Sequence, residues 1–151
     1  MLAIGEKLPD FEVDSTDGTK VSSRSLRGRI AVVYFFPRAF TPGCTSETKA
    51  FRDEYPGLVA AGAEIVGVST DSHLKQCKFA EWAGVAFPMI GDERGVVGRL
   101  FGVLWPLVGL AKRVTFVADR EGIVRHVFHH ELRACAHVSD VLDAVTALKA
   151  S

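Results

Sequence analysis

Apolar positions along this chain change period several times. Phe11-Glu12-Val13 alternates, Asp17-Gly18 marks a turn and Lys20-Val21-Ser22 returns, which predicts a short hairpin. Ile30 to Phe36 is an unbroken apolar run rich in β-branched and aromatic residues, the composition of a strand buried on both faces. From Pro42 to Glu54 the spacing of Cys44, Glu47, Thr48 and Phe51 fits a helix, with Thr41 as N-cap, Pro42 at the first helical position and Pro56 breaking or kinking it. Glu64 to Ser69 reads as a second buried strand, followed by a helix from His73 to Ala83 that Ser72 caps and Gly84 ends. Val85 to Ile90 fits a short strand or extended crossover, and Gly95 to Phe101 a short helix. Arg113 to Ala118 and Ile123 to His129 pair as a hairpin through the Asp119 to Gly122 turn. A last helix, Ser139 to Ala150, gathers Val141, Leu142, Val145 and Leu148 on one face, with Val138 just before it. Strands alternating with helices predict an α/β fold of three layers around a mixed sheet.

Composition narrows the function classes more than it names one. The 151 residues are 48% hydrophobic and carry no repeat, linker or low-complexity tract, so a single domain over residues 1–151 is expected. Eighteen basic and eighteen acidic residues cancel without long blocks of either sign, which leaves no footprint for nucleic acid or an anionic membrane. Met1 to Asp10 lacks the pattern of a secretory signal and no apolar run reaches spanning length, so a cytoplasmic protein is expected. Three widely spaced cysteines suit reactive thiols in a reducing compartment better than a disulfide framework.

Thr41-Pro42-Gly43-Cys44 is where chemistry concentrates. It sets a thiol just inside a helix start, after a strongly apolar strand. Unpaired backbone N–H groups and the helix dipole favour an anion there, which biases Cys44 toward a nucleophilic thiolate rather than an inert buried thiol. An ordinary thiol is only a few per cent ionised at neutral pH. The helix end offers about 0.3 to 1 kcal/mol, and up to about 2 in favourable geometry. One positive charge about 4 Å away offers on the order of 4 kcal/mol at an effective dielectric near 20. An efficient nucleophile at Cys44 therefore calls for a cation beside it.

Pro37-Arg38-Ala39-Phe40-Thr41-Pro42-Gly43-Cys44 resembles the Pro-x-x-x-Thr-x-x-Cys signature of peroxiredoxins. Gly5 to Phe11, Gly67 to Ser72 and Arg113 to Val117 are similar to further landmarks of that family, and Thr41-Pro-Gly-Cys44-Thr-x-Glu47 looks most like its bacterioferritin-comigratory, or Q-type, branch. The resemblance covers nearly the whole chain. It implies a thioredoxin-like three-layer α/β/α sandwich and a thioredoxin-dependent peroxidase that needs no metal or other cofactor. It also implies that Arg113 faces Cys44 and that Glu47, otherwise a charge complementing a helix start, orients that arginine.

The implied reaction is attack of the Cys44 thiolate on the terminal peroxide oxygen, which gives a Cys44 sulfenic acid and releases water or an alcohol. The Thr41 hydroxyl would align the peroxide and Arg113 would donate to the developing charge, while Gly43 and Cys44 present unpaired amides. Pro37 would wall the pocket. Many Q-type relatives carry a second cysteine where this chain has Lys49, so resolution of the sulfenic acid falls to Cys77, Cys135 or an external thiol. Cys77 is the expected resolving residue. It lies on the helix where some relatives carry theirs, although that position aligns nearer Ala80, and helical spacing turns it away from Phe79 toward solvent. Two helices on a rigid sheet satisfy disulfide geometry only if the first turn after Cys44 opens. His129, His130, Cys135 and His137 do not match a zinc spacing, so no metal is expected there. Gly102 to Ala111 has no charged residue; it is a wall over the pocket, a self-association surface or simple core packing, and the chain is expected to be a monomer or homodimer. The rival readings are a one-cysteine peroxidase recycled by an external thiol and a non-enzymatic peroxide sensor or chaperone-like module. A cysteine hydrolase is disfavoured because no histidine is marked as its paired base.

Overall fold

In the computed structural model, which describes the backbone of residues 1–129 and 134–150, alternation along the central strand divides the apolar residues into two cores. The elements are β1 (Glu12–Asp14), β2 (Lys20–Ser22), α1 (Ser23–Leu26), β3 (Ile30–Phe36), α2 (Pro42–Ala60), β4 (Ala63–Ser69), α3 (His73–Ala83), β5 (Met89–Gly91), α4 (Val96–Phe101), β6 (Val114–Ala118), β7 (Val124–His129) and α5 (Ala134–Ala150). Every residue of β3 is buried, as its composition requires. Ile30, Val32, Tyr34 and Phe36 point into one core with Cys44 and Phe51 of α2, Phe79 and Ala80 of α3, and Val141 and Val145 of α5. Ala31, Val33 and Phe35 point into the other, with Val21, Leu26, Val97 and Phe101 from the β1–β2 hairpin, α1 and α4. Three layers result, with the long helices on one face of the sheet.

The sheet runs in the order β5-β4-β3-β6-β7. β3 is parallel to β4 and β4 to β5, while β6 is antiparallel to both β3 and β7. The expected mixed α/β sheet is present. Its register has one consequence for the site. Phe35 sits opposite Val114, so the end of β3, which feeds the Cys44 loop, lies beside the start of β6, immediately after Arg113.

Several boundaries differ from the sequence reading. α2 does not break at Pro56 but continues to Ala60, because Phe51 and Leu58 on either side of the exposed proline are both fixed in the core. That packing outweighs the roughly 3 kcal/mol cost of an interior proline. α5 begins at Ala134, so Cys135 and His137 lie in a helix rather than a loop. β5 is confined to Met89–Gly91, and α1, a single turn with a reciprocal Ser22–Ser25 capping box, has too few residues to show a period. The α3 boundaries are as expected: the Ser72 hydroxyl accepts from Lys75 N–H and Gly84 closes the helix at φ 70°. The apolar segment Gly102 to Ala111 forms a tongue. Val103 and Ala111 pack into the core, while Trp105, Leu107 and Val108 at its tip are exposed. Among the described residues, no helix is long and apolar enough to cross a membrane.

Candidate active site

The strand-to-helix junction places Cys44 in the first turn of α2, fully buried. The first intrahelical bond runs from Thr45 N–H to the Thr41 carbonyl at 2.8 Å, so the Gly43 and Cys44 amides precede the bonded ladder. Thr41 occupies the N-cap but does not cap through its side chain. Its hydroxyl donates instead to the Arg38 carbonyl at 2.9 Å, because the 37–41 loop curls back over the helix start. Pro37 is half-buried and its carbonyl accepts from the Thr70 hydroxyl at 2.9 Å.

Arg113, immediately before β6, closes the site. Its Nη2 donates to Cys44 Sγ at 3.3 Å and its Nη1 to Glu47 Oε1 at 3.0 Å, with arginine and glutamate both buried. Burial opposes the Arg113 charge; the Glu47 carboxylate and the Cys44 sulfur outweigh it through charge and hydrogen bonding and hold the guanidinium above the ordinary arginine range. Gly43 makes room for this. A Cβ there would lie 3.0 Å from Arg113 Nη2. The structure thus brings Pro37, Thr41, Gly43, Cys44, Glu47 and Arg113 to one junction, and the cation that the energetic argument required is in contact with the sulfur.

It does not bring Cys77 there. Cys44 and Cys77 are both free thiols, and Cys77, half-buried, lies about 140° around α3 from Trp82. Trp82 marks the edge of α3 that faces α2, with Lys49 Nζ 4.8 Å from its ring centroid and the Phe40 ring tilted against it at 5.4 Å. Phe40 also meets Phe79 at 5.1 Å and adopts φ 66°, a left-handed conformation that is unusual for a bulky residue. Lys49, where a local second cysteine would stand, therefore joins a contact between two helices. The side chains of Cys135 and His137, and the whole of His130, lie outside the described residues.

Sequence reasoning missed the groups that hold this junction from behind. The buried Asp71 carboxylate accepts from Ala39 N–H at 2.6 Å and from the Ser69 hydroxyl at 2.7 Å, and faces Lys75 Nζ at 3.2 Å. Tyr34 and Thr48 share a hydrogen bond of 3.1 Å beneath Cys44. The one available signal was a tyrosine inside an otherwise apolar strand, which needs a partner for its hydroxyl. Burial holds the Tyr34 phenol well above its ordinary range; the Thr48 hydrogen bond opposes that, and the Glu47 and Cys44 charges add to it.

Comparison with known proteins fits this geometry. The AhpC/TSA family profile matches residues 4–127. The chloroplastic peroxiredoxin Q of Sedum lineare is 36% identical over 146 residues, covering 96% of this chain and 78% of the relative. The crystal structure of peroxidoxin BcpB from Mycobacterium tuberculosis superposes with a TM-score of 0.90 at 36% identity, over 98% of this chain and 99% of that one. A structure of the Xanthomonas campestris bacterioferritin comigratory protein, studied for its alkyl peroxide reduction activity, gives a TM-score of 0.86 at 30% identity, over 99% of this chain and 98% of that one. The fold is thioredoxin-like, and the chain belongs to the AhpC/TSA family, in its peroxiredoxin Q branch, as a thiol-dependent peroxidase.

Proposed function

We propose that Cys44 is the peroxidatic thiol and that the chain reduces hydrogen peroxide and organic hydroperoxides through a Cys44 sulfenic acid. The observation that carries this reading is the 3.3 Å contact from Arg113 Nη2 to Cys44 Sγ inside a buried helix start. The thiolate attacks the terminal peroxide oxygen, the O–O bond breaks, and the leaving oxygen departs as water or an alcohol. Arg113 stabilises the anion before attack and the charge that develops during it, held in place by Glu47. Thr41 and the Gly43 and Cys44 amides position the peroxide, and Pro37 shields the pocket. Fast peroxide consumption by the wild type and none by Cys44→Ser is the expected outcome; equal consumption by both sinks the proposal.

For the second half of the cycle we infer that Cys77 resolves the sulfenic acid after the first turn of α2 opens, and that a thiol reductant of the thioredoxin class reduces the resulting disulfide. A Cys44–Cys77 disulfide in peroxide-treated protein, found by peptide mapping, is expected. Its absence transfers resolution to an external thiol, a reading favoured by the turn of Cys77 away from the α2-facing edge of α3. Within the single domain we infer for residues 1–151, the exposed tip of the Trp105 to Val108 tongue is where a homodimer contact would form, and a monomeric mass at high concentration refutes that contact. A reducing compartment such as the cytoplasm suits three thiols of this kind.

A further inference from the structure

The thiol of Cys77 is not isolated on α3. His73, one turn earlier, places Nε2 3.5 Å from Cys77 Sγ, within hydrogen-bonding reach of sulfur. The backbone that presents the imidazole is anchored. Ser72 caps the helix through Lys75 N–H, and Gln76 Nε2 donates to the Ile90 carbonyl at 3.0 Å. Gly91 of β5 lies so close that a Cβ on it would come 2.7 Å from both His73 N and His73 Cα. The start of α3 is thereby seated against the sheet edge, and an exposed ring is held one turn from a half-buried sulfur.

We propose that His73 is the general base of Cys77 and makes it the second reactive thiol of the chain. With its proton on Nδ1, the ring accepts the Cys77 S–H proton at Nε2 as the sulfur attacks. Against a Cys44 sulfenic acid, the Cys77 sulfur forms the S–S bond, the S–O bond of Cys44 breaks, and the departing hydroxide takes the proton from the His73 imidazolium to leave as water. Two sulfurs, one thiol and one sulfenic acid, become one disulfide with no other oxidant or reductant. His73 also lines an open cavity of about 360 Å³ whose charged wall residues are Asp14, Asp92, Glu93 and Arg94, so the ring exchanges protons with solvent between cycles. Use of the pair in the peroxidase cycle rests on Cys77 being the resolving thiol; the reactivity of the pair does not.

The test is alkylation of Cys77 by iodoacetamide in the full chain carrying Cys44→Ser, followed by peptide mapping at fixed pH. In His73→Gln, which keeps a long polar side chain but no base, Cys77 alkylation is expected to slow by at least about tenfold, a floor set beneath the roughly 100- to 10,000-fold that a positioned base contributes. Leu74→Ala, which alters the neighbouring exposed side chain, leaves the rate unchanged, and added imidazole restores part of it in His73→Ala. Equal rates in His73→Gln and its parent, or no rescue by imidazole, overturn the proposal. A His73 effect on alkylation without a Cys44–Cys77 disulfide in peroxide-treated wild type upholds the pair and removes it from the peroxidase cycle.

Discussion

Replacing Arg113 by methionine separates two roles that the buried cluster combines. The guanidinium touches Cys44 Sγ at 3.3 Å and Glu47 Oε1 at 3.0 Å. At 3.3 Å and an effective dielectric near 20, the bare attraction between guanidinium and thiolate is about 5 kcal/mol. Desolvation consumes much of that, and hydrogen bonds to charged groups keep about 1.5–3 kcal/mol net. Taking about 2–3 kcal/mol as the loss, the second-order rate with peroxide falls about 30- to 150-fold. Stability falls as well, since removing one partner of a buried ion pair costs about 3–5 kcal/mol. The double variant Arg113→Met with Glu47→Gln distinguishes the effects, because a neutral amide takes the other half of the ion pair out of the buried setting without restoring a cation to the sulfur. Stopped-flow peroxide consumption and urea midpoints, measured on both variants, form the assay. The double variant should recover most of the lost midpoint while its peroxide rate stays low. If its rate returns to that of the wild type along with its stability, Arg113 acts only on the fold and the electrostatic argument fails.

Three smaller perturbations probe the same junction. Gly43→Ala introduces a Cβ 3.0 Å from Arg113 Nη2, so peroxide reduction slows several-fold, while thermal unfolding shows no loss and up to about 1 kcal/mol of gain from helix propensity. Because the Thr41 hydroxyl bonds the Arg38 carbonyl rather than capping α2, Thr41→Val costs less stability than the roughly 1 kcal/mol of a lost cap, yet slows the peroxide step; Thr41→Ser retains it, and steady-state rates beside melting curves show the split. Tyr34 is an acid whose folded pKa lies above its unfolded value, so its stabilising contribution is complete below about pH 10, the ordinary tyrosine value, and is lost as the pH rises beyond it. Urea midpoints in the wild type should drop on the alkaline side, and the drop should shrink in Tyr34→Phe.

The placement of Cys44 in the first turn of a helix after a buried strand was legible because it follows from local rules. An apolar strand, a threonine, a proline and a cysteine at a helix start need no tertiary information, and α3 with its Ser72 cap and Gly84 stop was legible for the same reason. Arg113 was legible as a requirement, since the helix end alone supplies too little energy, but its position came from family resemblance; the physical cause is the pairing of Phe35 with Val114 across β3 and β6. Pro56 misled because packing of Phe51 and Leu58 outweighs a local propensity. The contacts of Asp71, Phe40 and Trp82 left no readable signal, although Phe40 and Asp71 fall within the motifs read from the sequence. Asp71 looks like an ordinary turn residue until Ala39 N–H meets it from 32 residues away, and nothing in a periodicity shows a phenylalanine at φ 66°.

These long-range contacts set the terms on which resolution can occur. Cys44 is fully buried, so on the proposed cycle the start of α2 leaves its seat before a second thiol reaches the sulfur. Holding it there are the Lys49–Trp82 contact at about 0.5–1 kcal/mol, the Phe40 ring pairs at about 0.5–1.5 kcal/mol each, and the Arg113–Cys44 bond at about 1.5–3 kcal/mol. The first three are indifferent to the state of the sulfur. The last is not: conversion of the thiolate to a neutral sulfenic acid removes the charge that Arg113 holds and weakens this restraint, while the Glu47–Arg113 pair persists. On the proposed cycle the closed junction is therefore strongest before peroxide arrives and weakest just after it has reacted. On that cycle the contact proposed to make Cys44 a nucleophile is also the one whose loss releases it for the second thiol.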